Sequence, residues 1–271
     1  MTDAREKAQN TARDVGDHAL VEKGARLGFA MSGLIHLLIG WIALKIAWGI
    51  GSTGSSSGES ADKSGALREV AGGTTGPFLL GLAVLGFALL ALWNATEAVV
   101  GRHGGETLDR AKAGGKAILY AVFAWSAFGF ARGAGGSDEQ KTDSITSSLM
   151  SQPGGRILVG LVGVAVVGAG AYHVWKGWTK GFLEELERHP GRWAEVAGRA
   201  GYVAKGIALA VAGLLFAGPA LSSRASEAGG LDSALKELRD RPFGPYVLTV
   251  IALGIAAYGL YSFARARHAK L

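Results

Sequence analysis

The chain alternates between long apolar stretches and polar connectors. Six apolar runs stand out, at about Leu27–Trp48, Pro77–Val100, Ala117–Ala131, Ile157–Trp175, Ala200–Leu221 and Pro245–Phe263. A bilayer core of ~30 Å takes ~20 mostly apolar residues at ~1.5 Å each, so most of these runs are long enough to cross it. The third run is short. It becomes adequate if Lys116 buries its stem and its charge snorkels to the headgroups. Six buried core helices in a water-soluble chain of 271 residues would leave too little polar surface to cover them. The expected fold class is all-α: a polytopic membrane protein with six transmembrane helices.

The runs come in pairs, and the pairs repeat. Arg26-Leu27-Gly28-Phe29-Ala30-Met31-Ser32-Gly33 matches Arg199-Ala200-Gly201-Tyr202-Val203-Ala204-Lys205-Gly206, and Gly40 then matches Gly213. In the middle copy Lys112 takes the Arg place, Gly114 the first Gly place, and Leu119 replaces the second Gly. In the second halves, an ungapped alignment sets Pro77, Arg156 and Pro245 at one position and Trp93, Tyr172 and Tyr261 at another. This predicts three pseudo-repeated helical hairpins. The division is a polar tail over 1–25, repeat 1 over 26–102, repeat 2 over 103–181, a connector over 182–198, and repeat 3 with a basic tail over 199–271.

The polar connectors refine this picture. Those on one side carry short amphipathic helices: Leu231, Leu235 and Leu238 lie on one stripe, matched by Leu67 and Val70 in the first loop and by Ile145 and Leu149 in the second. The first loop also holds the flexible insert Gly51–Gly58. On the other side, Phe182-Leu183-Glu184-Glu185-Leu186 reads as another interfacial segment. Lys and Arg concentrate on that side, so the positive-inside rule places both termini in the cytoplasm of a protein of the inner (cell) membrane. The first 25 residues lack a signal-peptide pattern, and the first helix is expected to act as an uncleaved anchor.

Composition adds exclusions. The net charge is +6, but basic residues gather at helix ends rather than on one soluble face, which argues against nucleic acid. There is no Cys, so disulfides, thiolate metal sites and S-acylation are excluded. The 43 glycines scatter through the apolar runs, where small residues let helix backbones approach within a bilayer. Gly129 and Gly133 have the i, i+4 spacing, whereas Gly81/Gly86 and Gly254/Gly259 are five apart and face different ways. Most of the tryptophans lie near run ends, at headgroup depth; Trp41 and Trp125 lie deeper and are expected to pack between helices.

Three units of Arg-x-Gly-aromatic-x-x-x-Gly type, with a Leu-containing loop helix ending in Pro-Phe-Gly, resemble the bacterial membrane family called domain of unknown function 1206. Arg199, Gly201, Tyr202, Gly206 and Gly213 carry the likeness, with Leu235, Leu238, Pro242, Phe243 and Gly244. It spans Arg26 to Arg265 and departs in the middle unit, where Leu119 and Gly154 stand for the Gly and Phe. The resemblance implies a six-helix integral membrane protein of actinobacterial type, and no activity or catalytic residue.

Chemistry-bearing residues are few. His36 falls near the midplane, about 15 Å past Arg26 by helical rise, and reads as a neutral imidazole bonded to a neighbouring helix or a proton relay. His36 and His173 lie at different depths, which argues against a shared haem iron. The ungapped alignment puts Asn94, His173 and Ser262 at one position and Glu97, Lys176 and Arg265 three residues on. These six form a candidate intramembrane polar cluster, with Glu97 expected to pair with Lys176 or Arg265 and with Asn94 and His173 hydrogen-bonding above them. Hydrolase, zincin and phosphate-loop signatures are absent from the sequence. The expectation is a non-enzymatic scaffold, partner-binding or lipid-binding subunit without cofactor, its partners being membrane lipids and a membrane protein. A small-solute or ion transporter is the alternative.

Overall fold

The computed structural model describes residues 10–11, 19–50, 63–101, 107–133, 148, 154–222, 236 and 238–270. Among them are seven α-helices: α1 (Ala19–Trp48), α2 (Lys63–Gly72), α3 (Gly76–Val100), α4 (Thr107–Ala131), α5 (Gly155–Trp178), α6 (Arg192–Ser222) and α7 (Gly244–His268). A short 3-10 helix, Gly181–Glu185, follows α5. Five helices, α1, α3, α4 from Asp109, α5 and α7, are long and apolar enough to cross a membrane. This is the make-up of a multi-pass membrane protein. The 31-residue α6 is long as well but is not one of those five. The third run is extended at its polar end: its helix starts at Thr107, so Lys112 and Lys116 lie within it.

Helix α2 occupies the first loop, with Ala66 and Leu67 buried. Its exit turn recurs before α7. Gly76 lies against the carbonyls of Val70 and Ala71, and Gly244 against those of Leu238 and Arg239, the matching residues. A side chain at either glycine would strike backbone. Pro77 and Pro245 then open the long helices, where the missing N–H costs nothing. The predicted loop stripes at Leu231, Leu235, Ile145 and Leu149, and the insert Gly51–Gly58, lie outside the described residues.

By contacts the chain forms two compact units. The first comprises Met1–Ser32, Val70–Gly135 and Ser262–Leu271, the second Gly33–Glu69 and Gly136–Tyr261. In the first unit α3 packs along α4. Val21, Ala25, Phe29, Leu90, Trp93 and Ala269 form its buried cluster. Gly28 of α1 lets α3 approach so closely that a Cβ there would lie 2.5 Å from the Gly86 carbonyl oxygen and 2.9 Å from Leu90 Cβ.

In the second unit α5 packs along α6 through glycines. A Cβ at Gly170 would stand 2.6 Å from the Gly206 oxygen, and one at Gly213 would stand 2.9 Å from the Gly163 oxygen. The contact of α7 with α1 uses the matching residues: a Cβ at Gly259 would stand 2.8 Å from the Gly33 oxygen, and one at Gly40 would stand 2.8 Å from the Ala252 oxygen. Likewise Gly201 of α6 meets Tyr258 of α7, whose counterpart Leu90 is what Gly28 meets. Backbone approach of this kind gives dispersion contact that lipid tails cannot replace.

Three local expectations are corrected. Trp41 and Trp125 are 54% and 77% exposed and do not pack between helices; an indole can face outward at that depth because its surroundings there are apolar. Nothing lies within 4 Å of a Cβ at Gly129 or Gly133, so that spacing marks no close approach, and Gly133, at φ +71, instead follows the helix end. The segment from Phe182 to Leu186 is not a surface strip: Phe182 is 0% exposed and packs with Leu186, Tyr202, Tyr258 and Tyr261.

Candidate functional site at the basic helix ends

Arg26 donates from Nη1 to the carbonyls of Arg267 at 2.8 Å and Ala266 at 3.4 Å, at the end of α7. It also bonds Glu22 one turn back at 3.0 Å. Arg110 of α4 does the same to α3, with Nε to Ala98 O at 2.9 Å and Nη2 to Val99 O at 2.8 Å. The last carbonyls of a helix lack intrahelical donors and carry the negative end of its dipole, so a guanidinium there satisfies both. In the second unit Arg199 lies 5.0 Å over the ring of Trp178, in the last turn of α5. Val99, Trp178 and Arg267 share one place in the second-half alignment. The leading base of one copy thus sits on the second helix of another.

This corrects the middle copy. Its leading base is Arg110, not Lys112, which pairs instead with Asp109 at 2.9 Å near the surface. Ala113, three residues after Arg110, is buried, as are Phe29 and Tyr202 three residues after Arg26 and Arg199. The two-residue shift also places Ala117 rather than Leu119 at the second Gly position.

The six residues expected to cluster divide between the units. Asn94, Glu97, Ser262 and Arg265 belong to the first, and His173, Lys176 and the separate candidate His36 to the second. Asn94 and Ser262 are buried. Asn94 Nδ2 donates to Leu90 O at 2.8 Å, and His173 Nδ1 lies 2.8 Å from Ala169 O, each four residues back in its own helix. Lys176 pairs with Glu185 of the 3-10 helix, at 2.5 Å. Lys176 also stands 5.4 Å over Tyr202, and Arg265 stands 4.3 Å over Phe29. These are the same pair of places in two copies. In the third the places hold Glu97 and Ala113, with charge and ring both changed.

Around Tyr202 the second unit gathers an aromatic set. Its ring stacks with Phe182 at 5.2 Å and His173 at 5.8 Å, and meets Tyr258 edge-on at 5.1 Å. His36, itself buried, lies 4.7 Å from Tyr258. Tyr261 donates its hydroxyl to Phe182 O at 3.2 Å, which ties the 3-10 helix to α7. Lys205 of α6 sits 4.2 Å over Tyr258. Beyond this set, Glu195 accepts from Lys180 at 2.5 Å and from His189 at 3.3 Å. The hydrogen bond from Lys180, chiefly, holds the Glu195 carboxyl below its ordinary 4.5.

The family described as Domain of Unknown Function (DUF1206) matches three times, at residues 27–101, 111–180 and 200–269. The chain belongs to the DUF1206 family. Each DUF1206 match begins one residue after a leading base, Arg26, Arg110 or Arg199, and takes in two long helices. The chain is similar to the uncharacterized protein YxxB of Bacillus subtilis (strain 168), 28% identical over 255 residues that cover 89% of each protein. No solved structure matches.

Sequence reasoning missed Tyr258, Lys205 and Glu185 as members of this candidate site. Tyr258 and Tyr261 are one helical step apart, a signal that could have marked a shared face. Glu185 gave none, because its place depends on Phe182 docking.

Proposed function

We propose that the protein is a six-span integral membrane protein of the cell membrane, with both termini cytoplasmic, that acts as a non-enzymatic scaffold or as a partner- or lipid-binding subunit. The six spans form three hairpins, a reading supported by the matching Gly28–Leu90 and Gly201–Tyr258 contacts. One observation carries the functional reading: the polar groups at the basic helix ends join repeat to repeat. Arg26 and Arg110 bond carbonyls of another copy, and Lys176 and Tyr261 hold the 3-10 helix. Side chains so engaged fix an architecture rather than await a substrate. Within the candidate polar cluster, the pairing of Glu97 with Arg265 belongs to the same reading.

The buried His36 against Tyr258 favours a second reading, a small-solute or ion pathway, because ionisable groups inside spans mark such pathways. Reconstitution in dye-loaded vesicles separates the two. The scaffold reading expects no proton or ion flux above protein-free vesicles. A flux that disappears in His36→Ala would replace it with the second.

A further inference from the structure

We propose that Arg199, Lys205 and Lys176 form a binding site for the headgroup of an anionic phospholipid. The inference rests on the lipid-binding form of the reading above and names its ligand. Arg199, Tyr202 and Lys205 follow one another at three-residue steps on α6, so each neighbours the next on the helix surface. Tyr202 also carries Lys176 at 5.4 Å from α5. Lys176 thus lies over the buried Tyr202 ring, while Arg199 and Lys205, one helical step to either side of Tyr202, lie over the rings of Trp178 and Tyr258.

Their charges are unequally met. Lys176 has Glu185. Nearby, Lys180 has Glu195. Lys205 is half-buried, and among the described residues its ammonium meets the Tyr258 ring at 4.2 Å and no carboxylate. Arg199 meets the Trp178 ring and no carboxylate either. A ring face stabilises a cation by ~0.5–2 kcal/mol but does not neutralise it. His173, stacked on Tyr202, lies in the field of both Lys176 and Lys205 and adds no negative charge. The site so assembled has three cations against one carboxylate.

Depth selects the anion. Lys205 lies six residues beyond Arg199, about 9 Å by helical rise. Side chains on a helix lean toward its N-terminus, and a lysine stem brings the ammonium back by several ångströms. The charge then stands near the level of Arg199, where phospholipid phosphates lie. Basic pockets between spans on the cytoplasmic side hold such headgroups. The Arg-to-Lys spacing recurs in the middle copy as Arg110 and Lys116, whereas the first copy has Ser32 at that place.

The test is native mass spectrometry and thermal unfolding of the full chain in detergent. Each is run with phosphatidylglycerol, with phosphatidylcholine and with inorganic phosphate alone. The wild type should retain and be stabilised by phosphatidylglycerol only. Lys205→Gln and Arg199→Gln should each retain about fivefold less, from ~1 kcal/mol per basic residue near an anionic surface. Lys205→Arg should retain it, and Lys112→Gln should match the wild type. If Lys205→Gln does not fold, Arg199→Gln decides. Unchanged retention in the folded variants, equal retention of phosphatidylcholine, or equal stabilisation by inorganic phosphate each overturns the proposal. The flux measurement fails independently: a conducting protein with Lys205-dependent retention loses the scaffold reading and keeps this site.

Discussion

Arg26 and Arg267 lie 241 positions apart, yet the guanidinium of the first donates to the carbonyl of the second at 2.8 Å. The last helix of repeat 3 is thereby capped by the first helix of repeat 1. Arg110 caps α3 with the same two bonds, between neighbouring repeats. The chain thus uses one device both between consecutive copies and between its last copy and its first. The glycine contacts agree: Gly259 with Gly33 restates Gly170 with Gly206.

Replacing either arginine by Ala should lower stability. Each guanidinium is hydrogen-bonded to helix-end carbonyls, a type of bond that contributes ~1.5–3 kcal/mol when partly buried. The two caps share no partner, so the double variant Arg26→Ala/Arg110→Ala should lose the sum within ~0.5 kcal/mol. Thermal unfolding in detergent measures this. An Arg110→Ala loss no larger than that of Lys112→Ala would restore Lys112 as the middle copy's leading base.

Gly206→Val should disrupt the α5–α6 seam, since a Cβ at Gly206 would stand 2.5 Å from the Gly170 oxygen. Overpacking at such a contact costs ~1–3 kcal/mol or prevents folding. Gly129→Ala meets nothing within 4 Å and replaces a poor helix former, so it should be neutral or slightly stabilising. Comparable losses from both would mean that close approach does not distinguish these two glycines, since either substitution raises helix propensity.

The long helices were legible because span length and apolarity are properties of a single segment. The repeat was legible too, since Arg26 and Arg199 head similar octets. The middle copy was misread by two residues because Ala113 fills a place that holds Phe29 and Tyr202 elsewhere, leaving no aromatic to anchor the alignment. Glu185 could not be found in advance. Its pairing with Lys176 needs the 3-10 helix to dock through Phe182, a tertiary event. Trp41 and Trp125 were misplaced because depth along a helix does not fix which way a residue faces.

Glu195 makes the connector pH-dependent. Its carboxyl titrates below 4.5, held down first by the hydrogen bond from Lys180. A depressed carboxylate contributes stability above its unfolded value, and loses it as pH falls through the folded one. The stretch from Lys180 to Glu195 should therefore keep its hydrogen-exchange protection near neutrality and lose it only as pH falls below the ordinary Glu value of 4.5. In Glu195→Gln the protection should be lower at neutral pH and flat across that window. Loss of protection between pH 6 and 8 in the parent would point to another group.

Lys176 and Glu185 should couple. Both are partly buried, and removing one leaves the other's charge uncompensated, so each single change should cost more than half of the double. Glu97→Gln combined with Lys176→Gln should be additive, because the Lys176 ammonium is already held by Glu185. Glu97→Gln with Arg265→Gln should fall short of the sum if those two pair. Additivity in the last cycle would remove Glu97 from the proposed cluster.

The orientation is open to direct measurement because the chain has no Cys. Arg26 and Arg110 cap helix ends and Arg199 lies over Trp178 in the last turn of α5, and by the positive-inside rule such bases are expected to stay in the cytoplasm. The opposite loops should then be outside. Ser56→Cys and Ser233→Cys place single thiols in the first and third of these loops. An impermeant maleimide added to intact cells should label both, and a thiol at Ala266→Cys, beside the Arg26 cap, should react only after permeabilisation. Labelling of Ala266→Cys alone in intact cells inverts the protein, and it moves the Arg199–Lys205 bases to the outer leaflet. Labelling of Ser56→Cys without Ser233→Cys means an odd number of spans between those loops, and the three-hairpin reading falls while the helix contacts stand.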